Sequence, residues 1–401
     1  MTECQDREIQ LAPLSIRKDR QHYIVADLER QEYYEMPEIC VEAIRGMQAG
    51  VPLDKIEAGL RARYPGEEIN MDGFVRQLRE LGLLRSWNGQ RFDPPQNLTG
   101  RNRAVSQGLE RLGRVLFHPL ALALYGLLAL ANALQLVSGD GLMPVYSDLF
   151  LSSSMTVNLV SWMAVGLTGV VLHECGHSLA MAAKGLPTRW NMGHRLFLPV
   201  LETEMSGVWS LPPGQRYVPY LAGMCVDQVL LFAALFVQTL LPETSGWAPV
   251  LRMAALHLVL ALGYQLLFFM KTDLYYVVEN ALGSYNLMEN ALAWLTNALP
   301  FRRAGERAEP VIYEDERHVV RLYGLFVAAG AGVSLALLVF YLIPQLGQAV
   351  RMTLPRLALA PSEPLFWDAV VFYFQFLCSA AWVLSSWIRS VSGRRGEKTA
   401  D

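Results

Sequence analysis

The sequence predicts a mainly α-helical protein, a polytopic membrane helix bundle of about six transmembrane helices with an N-terminal α+β winged-helix-like cytoplasmic domain. Three observations predict it. Hydrophobic residues make up 52% of the 401 residues and charged ones only 18%, where a soluble domain carries about a quarter. The charge deficit is concentrated in the last three quarters of the chain, which is built of long apolar runs. The first hundred residues are polar and alternate between strand and helix patterns.

The N-terminal elements come first. His22–Leu28 and Gln31–Met36 read as a β-hairpin around a polar turn. Pro37–Met47, Pro52–Arg63 and Met71–Leu84 carry apolar residues at helical spacing, and Asp72 is a candidate cap for the last. A hairpin with three helices is a winged-helix pattern, which raises nucleic acid as a partner. The net charge of −3 and the acidic residues Glu35, Glu38, Glu42, Glu67, Glu68, Asp72 and Glu80 argue against phosphate binding. No apolar signal segment opens the chain, so this domain is expected in the cytoplasm. Phe92–Arg103 is a turn-rich linker. The expected boundaries are residues 1–91 for the domain, 92–116 for the linker, 117–390 for the membrane domain and 391–401 for a cytoplasmic tail.

Six apolar runs follow: Pro119–Val137, Met155–Ala183, Tyr217–Leu241, Val250–Met270, Leu322–Ile343 and Leu365–Ile388. Each approaches or exceeds the roughly 20 residues that cross a bilayer core. Lys and Arg cluster before the first run, between the second and third, between the fourth and fifth, and after the sixth. The opposite loops are poor in them; Ser138–Met155 has none. The positive-inside rule then places both termini in the cytoplasm of a bacterial inner membrane.

The second run contains His173-Glu174-Cys175-Gly176-His177. Two histidines four apart share a helix face and can hold one metal ion. Glu174 is then placed to take a proton from a water at that metal, the H-E-x-x-H pattern of a zinc peptidase. Its depth is unusual, because Lys184 ends the run eleven residues after His173, roughly 16 Å at 1.5 Å per residue. Ionisable groups at such depth are costly and mark functional sites. Cys175 faces elsewhere, and Gly176 permits close helix approach. The five cysteines are scattered, which argues against a disulfide framework.

A catalytic zinc needs a third protein ligand and an open position. Asp273, at the cytoplasmic end of the fourth run, is the leading candidate. His257 competes but lies nearer the outer end. His194 and Glu204 follow the second run and stay open by spacing alone. Asp227, inside the third run, is either a second-rank partner of the site or a hydrogen-bonded helix contact. Leu196–Leu201 reads as an extended edge that either holds a substrate strand or merely connects. The small residues of Ala328–Leu337 read as helix packing.

Two resemblances follow from these motifs. The run Tyr23-Ile-Val-Ala-Asp-Leu-Glu-Arg-Gln-Glu-Tyr-Tyr-Glu-Met, with Ile56–Tyr64 and Phe74–Leu84, resembles the PqqD-like peptide-recognition domain. That resemblance implies capture of a leader peptide as an added strand. The H-E-x-x-H helix, the Pro199–Leu211 loop, Ala222-Gly223 and Lys271-Thr-Asp-Leu-Tyr-Tyr resemble the site-2-protease family of membrane zinc metallopeptidases. That implies His173, His177 and Asp273 as Zn2+ ligands and Glu174 as general base. Leu274 stands where the family has glycine after the aspartate, and the family's upstream Asn-Pro is absent.

The expected function is cleavage of a ribosomally made peptide precursor by a membrane zinc endopeptidase. Its expected partners are the peptide or membrane-protein substrate, the lipid bilayer, peptide-modifying enzymes and a transporter. The alternatives are proteolysis of a membrane-bound anti-sigma-type regulator, and a non-proteolytic, metal-containing peptide-export protein.

Overall fold

A computed structural model of the chain describes residues 9–20, 22–87, 89–92, 105–138, 141–195, 198–242, 244–298 and 316–397. The molecule is mainly helical, with small N-terminal sheets and five helices long and apolar enough to cross a membrane. It forms two compact units. One comprises Met1–Glu110, Met181–Thr188 and Met205–Arg216; the other comprises Arg111–Ala180, Arg189–Glu204 and Tyr217–Asp401.

In the first unit, β1 (Ile9–Leu11) and β2 (Leu14–Asp19) precede β3 (His22–Asp27) and β4 (Glu32–Met36). The helices α1 (Glu38–Gln48), α2 (Leu53–Arg63) and α3 (Met71–Glu80) follow, then β5 (Leu84–Trp87) and β6 (Gln90–Arg91). The hairpin β3–β4 forms as its alternation predicts, with Val25 opposite Tyr34. A strand not anticipated, β2, joins it to give the order β2-β3-β4, and β1-β5-β6 make a second small sheet. The third helix stops four residues earlier than expected, at Glu80. Gly82 turns the chain at φ 72°, and Leu84 enters β5 instead. Its N-cap is Asn70, whose Oδ1 accepts from Gly73 N at 2.8 Å, and not Asp72. Val25, Val41, Ile44, Val75, Leu78 and Leu83 form the core.

This unit also holds a buried ion pair. Asp19, on β2, binds the guanidinium of Arg216, and both side chains are fully buried. Arg216 Nε donates to Leu211 O at 2.9 Å, and its guanidinium lies 4.8 Å over the Trp209 ring. Arg17 Nη2 adds a bond to Trp209 O at 2.9 Å.

The linker readings at Asp93–Arg103 fall outside the described residues. The second half of the expected linker is instead an amphipathic helix, α4 (Gln107–Leu116), with Arg111 and Arg114 beside exposed Leu109, Leu112 and Val115. The first two apolar runs are α5 (Pro119–Val137) and α6 (Met155–Ala182). A hairpin of β7 (Arg189–Arg195) and β8 (Leu198–Glu204) follows, where an extended edge is expected. Then come α7 (Pro213–Leu240) and α8 (Ala248–Tyr264).

The fourth run departs from the expectation of one continuous span. Its helix α8 has 17 residues and ends at Tyr264, followed by a short turn at Phe268–Met270 and Lys271 in the left-handed region at φ 53°. Asp273 therefore opens a new helix, α9 (Asp273–Leu282), rather than closing α8. After α10 (Leu287–Ala298), α11 (Arg317–Leu337) runs through a wide turn at Leu338–Leu342 into α12 (Ile343–Thr353), a helical stretch of 42 residues to Ala358. The last helix, α13 (Pro364–Glu397), continues into the expected tail.

Two devices fix α6, which carries the histidine pair. Asp368 of α13 caps its N terminus, accepting from Thr156 N at 3.0 Å, Thr156 Oγ1 at 2.7 Å and Ser154 Oγ at 3.0 Å. Gly176 lets α7 approach: a Cβ there would lie 2.7 Å from Ala222 O.

Removing one partner of a buried ion pair strands the other charge. Asp19→Ala is expected to lower the stability of the first unit by roughly 3–5 kcal/mol. The midpoint of denaturant unfolding in detergent measures this, and an unshifted midpoint contradicts it.

Candidate metal centre

Two segments of the second unit converge on one point. His173 and His177 come from α6, and Asp273 from the first turn of α9. Nε2 of His177 lies 3.2 Å from Nε2 of His173. Oδ2 of Asp273 lies 2.9 Å from the first histidine and 3.3 Å from the second. Ligands roughly 2.0–2.1 Å from a tetrahedral zinc lie about 3.3 Å from one another. The three atoms thus form nearly the triangle that such an ion requires.

The outer nitrogens decide what the inner ones are. His177 Nδ1 lies 2.8 Å from Pro219 O, a carbonyl that can only accept. Its proton is therefore on Nδ1, and in the neutral ring Nε2 presents a lone pair. His173 Nδ1 donates in the same way to Asp227 Oδ2 at 2.7 Å. With both rings neutral, two lone pairs and a carboxylate oxygen face one another at contact distance, an arrangement that a cation between them would satisfy. The donor set of two imidazoles and one carboxylate suits zinc, and the outer hydrogen bonds orient the rings as ligand-binding histidines require.

Glu174 also brings a carboxylate oxygen within 4.8 Å of the two histidine nitrogens. Asp273 is the better third ligand. Its oxygen is in hydrogen-bond contact with both Nε2 atoms, whereas Glu174 Oε2 accepts Thr203 N–H at 2.8 Å. Thr203 Oγ1 donates to the Glu174 carbonyl at 3.2 Å, so β8 holds this residue at two points. Trp190 of β7 ties the same hairpin to Ser178 of α6 through a 2.8 Å bond. Glu174 is 8% exposed, close enough to the triangle to serve a water there without filling a ligand position.

Asp273 is positioned by the broken fourth run. Gln265, the residue after α8, donates Nε2 to Asp273 Oδ2 at 3.0 Å and accepts Asp273 N–H at 2.9 Å. Its backbone carbonyl accepts Thr272 Oγ1 at 2.8 Å. The break turns the chain back so that one amide side chain grips both the backbone and the carboxylate of the candidate ligand. Gly223 of α7 supplies the space, since a Cβ there would lie 2.3 Å from His173 Nε2.

The remaining candidates lie elsewhere. Glu204 is exposed and accepts Asn191 Nδ2 at 3.2 Å across the hairpin. Thr203 bonds Glu174, and strand alternation sends the Glu204 side chain to the other face. His257 packs edge-on to Trp162 with ring centroids 5.3 Å apart, against Gly166 and Gly169 of α6. The backbone of His194 pairs with Pro199, and its side chain lies outside the described residues, as do Leu196 and Phe197. Cys40, Cys175, Cys225 and Cys378 are free thiols, and Cys4 lies outside the described residues.

Three contributors escape the sequence reading. Gln265 leaves one signal, a polar residue within an apolar run. Thr203 N–H and the Pro219 carbonyl leave none, because each is a backbone group brought close by folding.

Outer hydrogen bonds of this kind govern metal affinity. Asp227→Ala and Gln265→Leu are each expected to weaken zinc binding about 10–100-fold while the helices remain intact. Competition with a chelator in detergent, read beside circular dichroism, measures this. Unchanged affinity in both variants removes the positioning roles. Gly223→Ala is expected to push the His173 ring out of the triangle and lower affinity by at least the same factor, in the same assay. No protein-family model, no curated protein and no solved structure matches this chain.

Proposed function

We propose that the chain is a membrane-embedded zinc endopeptidase with His173, His177 and Asp273 as metal ligands and Glu174 as general base. The observation that carries this reading is the convergence of two imidazole lone pairs and a carboxylate beside a second, separately held carboxylate. A zinc ion there supplies Lewis acidity and lowers the pKa of water towards neutrality. Thr203 N–H occupies one oxygen of Glu174, and the other takes the proton of the attacking water. Glu174 then returns that proton to the leaving amine as the peptide bond breaks. Asp227 and Pro219 keep both rings in the tautomer that presents Nε2.

The substrate must be extended at the scissile bond, because a helical carbonyl is already hydrogen-bonded. Strand β8 lies beside Glu174 and brings extended backbone close to the site. The sheet β2-β3-β4 has edge strands of its own, β2 and β4. With the PqqD-like pattern of this segment, those edges support capture of a ribosomally made precursor peptide. Such a precursor would be made beside peptide-modifying enzymes and a transporter. The Lys and Arg distribution supports a bacterial inner-membrane protein with both termini cytoplasmic, and hence a substrate from that side.

Glu174→Gln is expected to retain zinc and to lose hydrolysis by about 10²–10⁴-fold. Zinc content measures the first. Mass spectrometry of peptide co-purified with the detergent-solubilised variant identifies the substrate for the second. Turnover of that peptide at the wild-type rate would sink the assignment.

A further inference from the structure

A cavity of about 710 Å³, the size of a small-ligand pocket, is lined by residues that neighbour those of the candidate centre in the chain. Its walls come from β8, from the segment around Asp273, from α10 and from α11. Glu202 precedes Thr203 on β8, on the opposite face of the strand. Lys271 and Tyr276 flank Asp273 in the chain. The far wall is one face of α11 and the turn after it: Val327, Ala331, Ser334, Leu335 and Leu338 recur at helical spacing.

The small residues of α11 do not all serve packing, since a Cβ at Gly332 would meet nothing within 4 Å. Gly330 serves packing, because a Cβ there would lie 2.5 Å from the Phe269 ring. Ala331 and Ser334 face the cavity and give it depth. The lining is otherwise apolar, with Met270, Met288 and Leu292 among it. Charge is confined to Glu202, Glu289 and Lys271, and Lys271 pairs with Glu289. Two carboxylates against one ammonium leave the lining with a net negative charge.

We propose that this cavity is the substrate side-chain pocket of the centre. It takes a bulky apolar side chain next to the scissile bond and refuses an acidic one. Apolar area buried in such a pocket favours large side chains, at about 0.8 kcal/mol per methylene. The unbalanced carboxylate repels Asp or Glu. The proposal rests on the metallopeptidase reading of His173, His177 and Asp273.

The test uses the full chain in detergent, loaded with zinc, and the hydroxamic acids of phenylalanine, glycine and aspartate as probes. Calorimetry is expected to show the phenylalanine probe binding at least tenfold tighter than the glycine probe, and the aspartate probe binding weakest. Ala331→Trp fills the pocket and should remove the phenylalanine advantage while leaving glycine-probe affinity and zinc content unchanged. Equal affinity for the three probes in the wild-type chain overturns the pocket and leaves the metal centre standing. A chain that takes up zinc but binds no probe, or takes up no zinc, overturns the metallopeptidase reading and the pocket with it. Should Ala331→Trp fail to fold, Ser334→Cys provides a second measure. Maleimide labelling at position 334, located by mass spectrometry, should be blocked by the phenylalanine probe and not by the glycine probe. Equal labelling with both overturns the proposal.

Discussion

Three electron-pair donors pointed at one another are unstable without something positive between them. His173 Nε2, His177 Nε2 and Asp273 Oδ2 are held in that arrangement at 2.9–3.3 Å. Much of the membrane unit can be understood as the means of holding them. An acceptor behind each ring fixes its proton, Asp227 for one and the Pro219 carbonyl for the other. A bidentate amide behind Asp273 fixes the carboxylate. Each of these partners sits in an apolar region where an unsatisfied polar group costs several kcal/mol, roughly, so they satisfy one another as they orient the site.

Close packing sets the rest of the geometry. Asp227 reaches His173 because α6 and α7 touch at Gly176 and Ala222, and the His173 ring fits because residue 223 has no side chain. The hairpin β7–β8 then comes down on the same helix and takes hold of Glu174. The Glu174 carboxylate and the Asp273 carboxylate are thus held by different elements, β8 for one and Gln265 for the other.

In the first unit too, a carboxylate holds remote segments together. Asp19 and Arg216 are remote in sequence and fully buried, and the pair is completed by a carbonyl and an aromatic face. A buried ion pair is weak evidence for stability, but the loss of either partner alone is costly. It fastens β2 to the segment that begins α7. In this chain, then, a carboxylate against a cation or a ring proton marks the places where remote segments must meet correctly.

The sequence by itself determined the periodic and the local. Apolar length predicted α5 and α6 to within a residue and α7 except for its first four residues, alternation predicted β3–β4, and the four-residue spacing put His173 and His177 on one face. These depend on neighbours in the chain, and neighbours are what a sequence displays. Strands β1, β2 and β5 and helix α4 were not legible, since short strands are decided by their partners. Nor was the break after Tyr264, which sets Asp273 at the start of a helix instead of the end of one. Gln265 is the polar residue at that point of an otherwise apolar stretch, and its bonds to Thr272 and Asp273 lie where α8 ends. Only the tertiary structure sets Asp273, and not His257 or Glu204, against both histidines and gives Asp227 its place behind His173. Such convergence is a matter of distances between segments far apart in the chain, and spacing along the chain carries no such distances.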